Sequence, residues 1–324
     1  MIKVLKGLGT ATVQFADPSE LPRLLADKQS TTWVDIEAPG EPEAKLLAGV
    51  FHFHPLTIED CRNEIVDPPK VDDYRDYLFI IAQAIDFECT DETLVTTELN
   101  IYVGKNYVVT SHQRPLPVLD EVTEQCQRQL PLIGKGPDWL THAIIDRLVD
   151  QLLPVVQAID QEIAGLEDQA LQGGWDGSLL ERMGQLKRST LRLRWLVAPQ
   201  RDVVSRLGRG DFPELIRPET HMYYRDVYDH LARLDVTIEN LRDLGESVMG
   251  IYLATQGNRL NEVMKTLAIV GVVFLPLTLI AGVFGTNFDG TYMPSGWIGF
   301  GAMCGSFLLS AGIMLTIFKR RGWF

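Results

Sequence analysis

The chain has 324 residues, with 43 acidic side chains against 30 Lys and Arg and a formal net charge of −13. That balance excludes the basic surface that nucleic acids require and suits cationic partners. Four scattered cysteines without a CxxC pair exclude a disulfide frame or a zinc knuckle, and no HExxH, GxSxG or complete phosphate-binding loop supports an enzyme.

Residues 1–135 read as a mixed α/β domain. "TTWVDIEAP" and "YLFIIAQAIDF" have strand composition, and "TTELNIYVGKNYVVTSH" reads as a hairpin turning at Gly104-Lys105-Asn106. "EPEAKLLAGVF" and "HPLTIEDCRN" suit short helices, the second with Pro55 in its first turn. His52 and His54 share a face only in a strand and have no third ligand nearby in sequence, so they are not assigned to zinc.

Residues 136–265 are helical. From Asp138, an apolar stripe runs through Ile144, Leu148, Val149, Leu152, Val155, Val156, Ile159, Ile163 and Leu166, predicting one helix that ends at "QGGWDGS". A second helix is predicted from Leu179 to Leu207, ended by "GRGDFPELIRP". After Pro218 no breaker occurs before Pro276, which predicts a single stalk helix about 90–100 Å long that runs on into the apolar C-terminal region. Its first part carries a coiled-coil-like seam, Val227, Leu231, Leu234, Ile238, Leu241, Leu244, Val248 and Ile251.

Residues 266–324 form a two-span membrane domain. "TLAIVGVVFLPLTLIAGVFGTNF" is 23 residues without a charge, and "WIGFGAMCGSFLLSAGIMLTIF" is 22. Each covers roughly the 30 Å hydrocarbon thickness. Arg259 and Lys265 precede the first span, Lys319, Arg320 and Arg321 follow the second, and the Asp289–Gly296 loop has no Lys or Arg. The positive-inside bias then places both termini in the cytoplasm and the loop outside. Tyr292, Trp297 and Trp323 stand where interfacial aromatics belong.

A helical stripe of small, polar and moderately apolar residues passes through Leu253, Gly257, Asn261, Met264, Leu267, Gly271, Leu275, Thr278 and Gly282. Two readings fit it: a tight helix–helix interface, or a pore wall that needs several subunits around an axis. "GTN", Gly285-Thr286-Asn287, is likewise either a helix cap and turn or a working mouth.

"NEVMKTLAIVGVVFLPLTLIAGVFGTNF", then "MP", then a second span ending "FKRRGWF", resembles the C-terminal signature of the CorA family of divalent-cation (magnesium/cobalt) channels. "HPLTIEDC", "PPKVDDYRDYLFII", "AIIDRLVD" and "YYRDVYDH" fall in family order upstream, so the resemblance covers most of the chain. It implies an α+β cytosolic domain, a long stalk helix and two C-terminal transmembrane helices, assembled in the cell (inner or plasma) membrane as a funnel-shaped homopentamer with the first transmembrane helix lining the pore. Thr286 departs from the Met of the family's Gly-Met-Asn motif, and Ser295 stands after "MP" where many members have Glu. A zinc-transporting branch of the superfamily also varies the middle residue, so Zn²⁺ stands beside Mg²⁺ and Co²⁺ as cargo. A non-conducting membrane-anchored scaffold is the alternative from another class.

The resemblance assigns Asn287 to an amide ring that hydrogen-bonds a hydrated ion without stripping its waters, with Gly285 allowing the backbone close to the axis and Asp289 concentrating cations outside. Asn261 would form a second polar ring, and Met264 with Leu275 apolar constrictions. It further implies regulatory Mg²⁺ in the cytosol: Asp60 of one subunit shares an ion with Asp226 of its neighbour, and Glu59 with Asp146 stands near a second. Two carboxylates ~6 Å apart repel by roughly 3 kcal/mol at an effective dielectric of ~20, enough to bias opening once bound cation is lost.

Overall fold

The computed structural model describes residues 1–8, 12–63, 66–86, 95–128, 131–172, 177–285 and 296–322. The chain divides into two compact units, Met1–Gln169 with Trp175–Met249, and Gly250–Phe324 with Ala170–Gly174.

In the first unit, seven strands among the described residues form one sheet: β1 (Ile2–Leu8), β2 (Thr12–Phe15), β3 (Ser30–Glu37), β4 (Lys70–Asp73), β5 (Leu78–Asp86), β6 (Val95–Val103) and β7 (Tyr107–His112), in the order β2-β1-β3-β7-β6-β5-β4. Only β3 and β7 among the neighbouring pairs run parallel. β3 lies inside the sheet with Trp33, Val34 and Ile36 all fully buried, so both of its faces need cover.

Helices α1 (Leu21–Ala26), α2 (Glu41–Gly49) and α3 (Pro55–Arg62) supply one cover. Leu21, Leu47, Phe53, Ile58 and Cys61 pack there against Val34, Phe79, Ile81, Tyr102 and Val109. The alternate positions Trp33, Ile80, Leu99, Ile101 and Val108 are buried on the other face by the period-2 pleat, where α4 (Pro117–Arg128), α5 (Pro131–Gly134) and α6 (Pro137–Asp150) meet the strands. The β6–β7 hairpin closes at Gly104, whose N–H bonds the Tyr107 carbonyl at 2.9 Å. His54 caps α3, its Nδ1 accepting the Leu56 N–H at 3.2 Å, which gives that histidine a structural task.

The single helix predicted from Asp138 is two. α6 ends at Asp150 and α7 (Leu152–Leu171) begins after a turn at Gln151. Pro154 explains the break: it has no N–H for the Asp150 carbonyl and its ring crowds that group. α8 (Gly177–Arg209) follows. α9 (Pro218–Gly285) is continuous for 68 residues with Pro276 inside it. Within the first unit its seam is buried at Val227, Leu231, Leu234, Ile238, Leu241 and Val248. Its N-terminus is fixed to α6 by Asp138, 1% exposed, whose carboxylate accepts from Arg217 Nε at 2.9 Å and from Thr220 Oγ1 at 3.3 Å. The Tyr224 hydroxyl donates to the Asp138 carbonyl at 2.9 Å.

Among the described residues, two helices are long and apolar enough to cross a membrane, and the second unit carries the end of α9 and α10 (Gly296–Arg320). Large apolar side chains along both are exposed, among them Leu267, Phe274, Leu275, Leu279, Ile298 and Leu308. So much bare apolar surface requires lipid or other subunits to cover it.

Candidate pore face and cation-binding cluster

At 100° per residue, Asn261, Met264, Leu275 and Thr278 fall within a stripe roughly 100° wide on α9. All four are exposed. Gly257, Gly271, Gly282 and Gly285 lie along the same side, and a Cβ added at any of them meets nothing within 4 Å. Among the described residues, nothing of this chain fills the space beside these glycines. The Thr278 hydroxyl donates to the Phe274 carbonyl at 2.9 Å, which leaves its oxygen lone pairs outward. Gly285 is the last residue of α9; Thr286, Asn287 and Asp289 lie outside the described residues.

The acids of the first unit named from the sequence separate into two groups. Glu59 and Asp60 stand in the last turn of α3. Asp60 Oδ2 accepts from Lys70 Nζ at 3.1 Å. Burial works against the charge of Lys70, but Asp60 and the acids around it hold its pKa above the usual value. Glu59 lines an open groove with Lys45 of α2 and Arg62.

Asp146 of α6 lies across the sheet, facing α9. Its carboxylate, that of Asp150 and a ring nitrogen of His230 all lie within 4.8 Å of one another. His230 Nε2 is also 3.9 Å from Asp226 Oδ2. Burial raises the pKa of half-buried Asp146; His142 and His230 oppose that, while Asp150 and Asp226 add to it. Burial lowers the pKa of His142, set edge-on to the Tyr223 and Tyr224 rings, against the pull of Asp146. Asp146 and Asp226 are thus brought into one constellation, and Glu59 and Asp60 are not part of it within a single chain. Sequence reasoning passed over Asp150 and His230, although each sits four residues after a chosen acid, on the same helical face.

The donor set fits a divalent cation, which would relieve the mutual repulsion of the three carboxylates. Two carboxylate oxygens and an imidazole serve Co²⁺, Ni²⁺ or Zn²⁺ directly, whereas Mg²⁺ prefers an all-oxygen shell completed by water.

The profile of the CorA-like Mg²⁺ transporter protein family matches residues 28–320. The chain belongs to the CorA family. It is 36% identical over 294 residues to the putative metal ion transporter YfjQ of Bacillus subtilis, covering 90% of this chain and 89% of that one. It is 34% identical over 302 residues to the cobalt/magnesium transport protein CorA of Thermotoga maritima, covering 92% and 84%. The structure of the CorA magnesium transporter of Methanocaldococcus jannaschii superposes with a TM-score of 0.84 over 99% of this chain and 98% of that one, at 21% identity. The zinc transport protein ZntB of Yersinia enterocolitica is 25% identical over 296 residues, covering 87% and 85%. The CorA match spans α3, α6 and α9, so both acid groups and the exposed α9 stripe lie inside it.

Proposed function

We propose that this chain is the subunit of a divalent-cation channel that admits Mg²⁺, and Co²⁺ with it, and is closed by cytosolic cation. The observation that carries this reading is the exposed, unpartnered stripe of α9 in a chain of the CorA family: a face of Asn261, Met264, Leu275 and Thr278 is of use once several copies surround an axis. The assembly is a homopentamer in the cell membrane, with both termini cytoplasmic as the flanking basic residues favour. Gly285, Thr286, Asn287 and Asp289 form the outer mouth, and the Asn287 amides hold a hydrated ion loosely enough to release it. A divalent ion moving inward gains roughly 4.6 kcal/mol per 100 mV, so no other energy source is needed.

Closure uses the acids on the two faces of the sheet. Asp60 and Asp226 belong to separate groups within one chain, which suits an ion shared between neighbouring subunits. Asp146, with Asp150 and His230, would hold a second. Each ion neutralises carboxylates that otherwise repel across the interface, and its loss frees the ring to open.

Thr286 in place of Met, and the 25% identity to ZntB, favour zinc transport as the second reading. Purified protein in liposomes separates the two: Mg²⁺ or Co²⁺ entry without a proton gradient supports the first, proton-coupled Zn²⁺ entry the second. Absence of any flux from assembled protein refutes both.

A further inference from the structure

The sheet face beneath α3 is apolar at Val34, Phe79 and Val109 and turns polar toward one end. Glu98 and Asn100 precede Tyr102 at period two along β6, and Ser111 of β7 is paired with Asn100. Glu98 and Asn100 border a cavity of about 270 Å³, lined also by Cys61, Thr96, Gln113 and Arg114 among others.

The cavity is built from committed side chains. Glu98 accepts the Asp67 N–H on Oε2 at 2.7 Å and the Asn100 amide Nδ2 on Oε1 at 2.9 Å. The contact with a carboxylate fixes which way the Asn100 amide points, because only its nitrogen can donate there. Its oxygen is thereby left over. Asn100 is 3% exposed, and its Oδ1 has no hydrogen-bond partner among the described residues. A buried acceptor without a donor costs on the order of 1–3 kcal/mol, so the arrangement persists best when something donates to it.

The occupant must also answer the charge of Glu98. Burial raises the pKa of this acid, and the groups acting most strongly on it besides its two donors are the carboxylates of Asp67 and Asp60. A neutral hydroxyl has one O–H and donates to Asn100 or to Glu98, not to both. A protonated primary amine does both, with three N–H donors converging on Glu98, Asn100 Oδ1 and the Thr96 hydroxyl. Size permits it: a cavity near 150 Å³ holds benzene, so this one takes a molecule of roughly ten heavy atoms.

We propose that the cavity between α3 and the β6–β7 end of the sheet binds a small organic molecule through a protonated primary amine, seated on Glu98 and Asn100. Gln113 lies elsewhere on the wall, its Nε2 donating to the Cys61 carbonyl at 2.7 Å. Cys61 lines the cavity and follows Asp60 in α3, so an occupant touches the helix that carries one of the cytosolic acids. The site does not depend on the channel reading, and its test measures no flux.

The experiment uses the full-length protein in detergent with EDTA present. Ligand-observed saturation-transfer NMR is recorded with ethylammonium and, separately, with glycine. Both give signal with the parent protein. Glu98→Gln weakens binding at least about tenfold, the order expected for a charge-assisted hydrogen bond. Asn100→Ser, a milder change, weakens it while leaving the carboxylate, and covers the case in which Glu98→Gln fails to fold. Tetramethylammonium, which has no N–H, does not compete. Comparable binding of ethylammonium and glycine marks the shared ammonium as the recognised group. No saturation transfer in the parent, unchanged binding in both variants, competition by tetramethylammonium, or an ordered-water cluster alone in a high-resolution map soaked with ethylammonium each overturns the proposal.

Discussion

Asp138 anchors the start of α9 to α6, and Asp138→Asn tests how much of the first unit's architecture depends on that join. The carboxylate is 1% exposed and receives Arg217 Nε and Nη2, the Arg217 backbone N–H at 3.3 Å and Thr220 Oγ1. Arg217 also donates to the Lys135 carbonyl. Asn keeps one acceptor and turns an NH₂ group toward a guanidinium, so at least one charge-assisted bond is replaced by a donor–donor contact. Breaking a buried pair costs about 3–5 kcal/mol. The Arg217 side chain is 47% exposed and regains water, which lowers the figure to about 2–3 kcal/mol. At roughly 2–4 °C per kcal/mol for a unit of this size, Tm should fall by about 4–12 °C. Thermal unfolding of the detergent-solubilised protein by far-UV circular dichroism reads this, with Arg217→Ala and the double variant closing a cycle. A fall under about 1 °C, or strict additivity of the two changes, would refute the anchoring role.

The buried His112–Asp35 pair predicts a pH dependence. Burial disfavours the His112 cation, but Asp35, with Oδ1 3.3 Å from Nε2, outweighs it and raises the pKa. A raised pKa gives stability that is complete below the unfolded histidine value, ~6.5, and is lost as pH rises through the folded value. Melting curves should therefore show the parent losing its advantage over Asp35→Asn as pH climbs above that range; a constant gap from pH 6 to 9 would sink the idea. Asp60→Ala and Asp226→Ala should each raise the cytosolic Mg²⁺ needed to close the channel, by about fivefold or more, in liposome flux with flux at low Mg²⁺ retained. Closure at the parent concentration would mark both as ordinary surface charge. Asn287→Ala and Asn287→Asp should both depress Mg²⁺ flux, the first by removing the amide oxygen and the second by binding the ion too tightly, while Thr286→Met shifts the Mg²⁺ to Co²⁺ or Zn²⁺ ratio. Unchanged flux in Asn287→Ala would reduce "GTN" to a turn.

Much of the fold was legible because single residues dictate it. The β-branched and aromatic run of "TTWVDIEAP" marks β3 as a strand, Gly104 closes the β6–β7 hairpin, and the run from Pro218 without a breaker gives one helix through to Gly285. The α6–α7 break was missed because the apolar stripe continues in phase across it and only Pro154, in the first turn of α7, signals the turn at Gln151. The cation cluster was half legible. Asp146 and Asp226 stand in the family-like segments, but Asp150 and His230 come within reach of Asp146 only because α6 and α9 lie side by side, a pairing fixed by Asp138, Arg217 and Tyr224. The Glu98–Asn100 cavity was not legible, because an alternating strand pattern does not say that the inward face turns polar halfway along.

The claim that one face of α9 lines the ion path is tested most directly by cysteine accessibility. In a background with Cys89 and Cys304 replaced by Ser, Thr278→Cys places a thiol on the stripe, and Ile280→Cys places one about 160° around the helix. Mg²⁺ flux through liposomes is measured before and after a membrane-impermeant thiol reagent that adds a positive charge. The account predicts strong block of Thr278→Cys, slowed by high Mg²⁺, and little change in Ile280→Cys. Block of Ile280→Cys with Thr278→Cys untouched would contradict it.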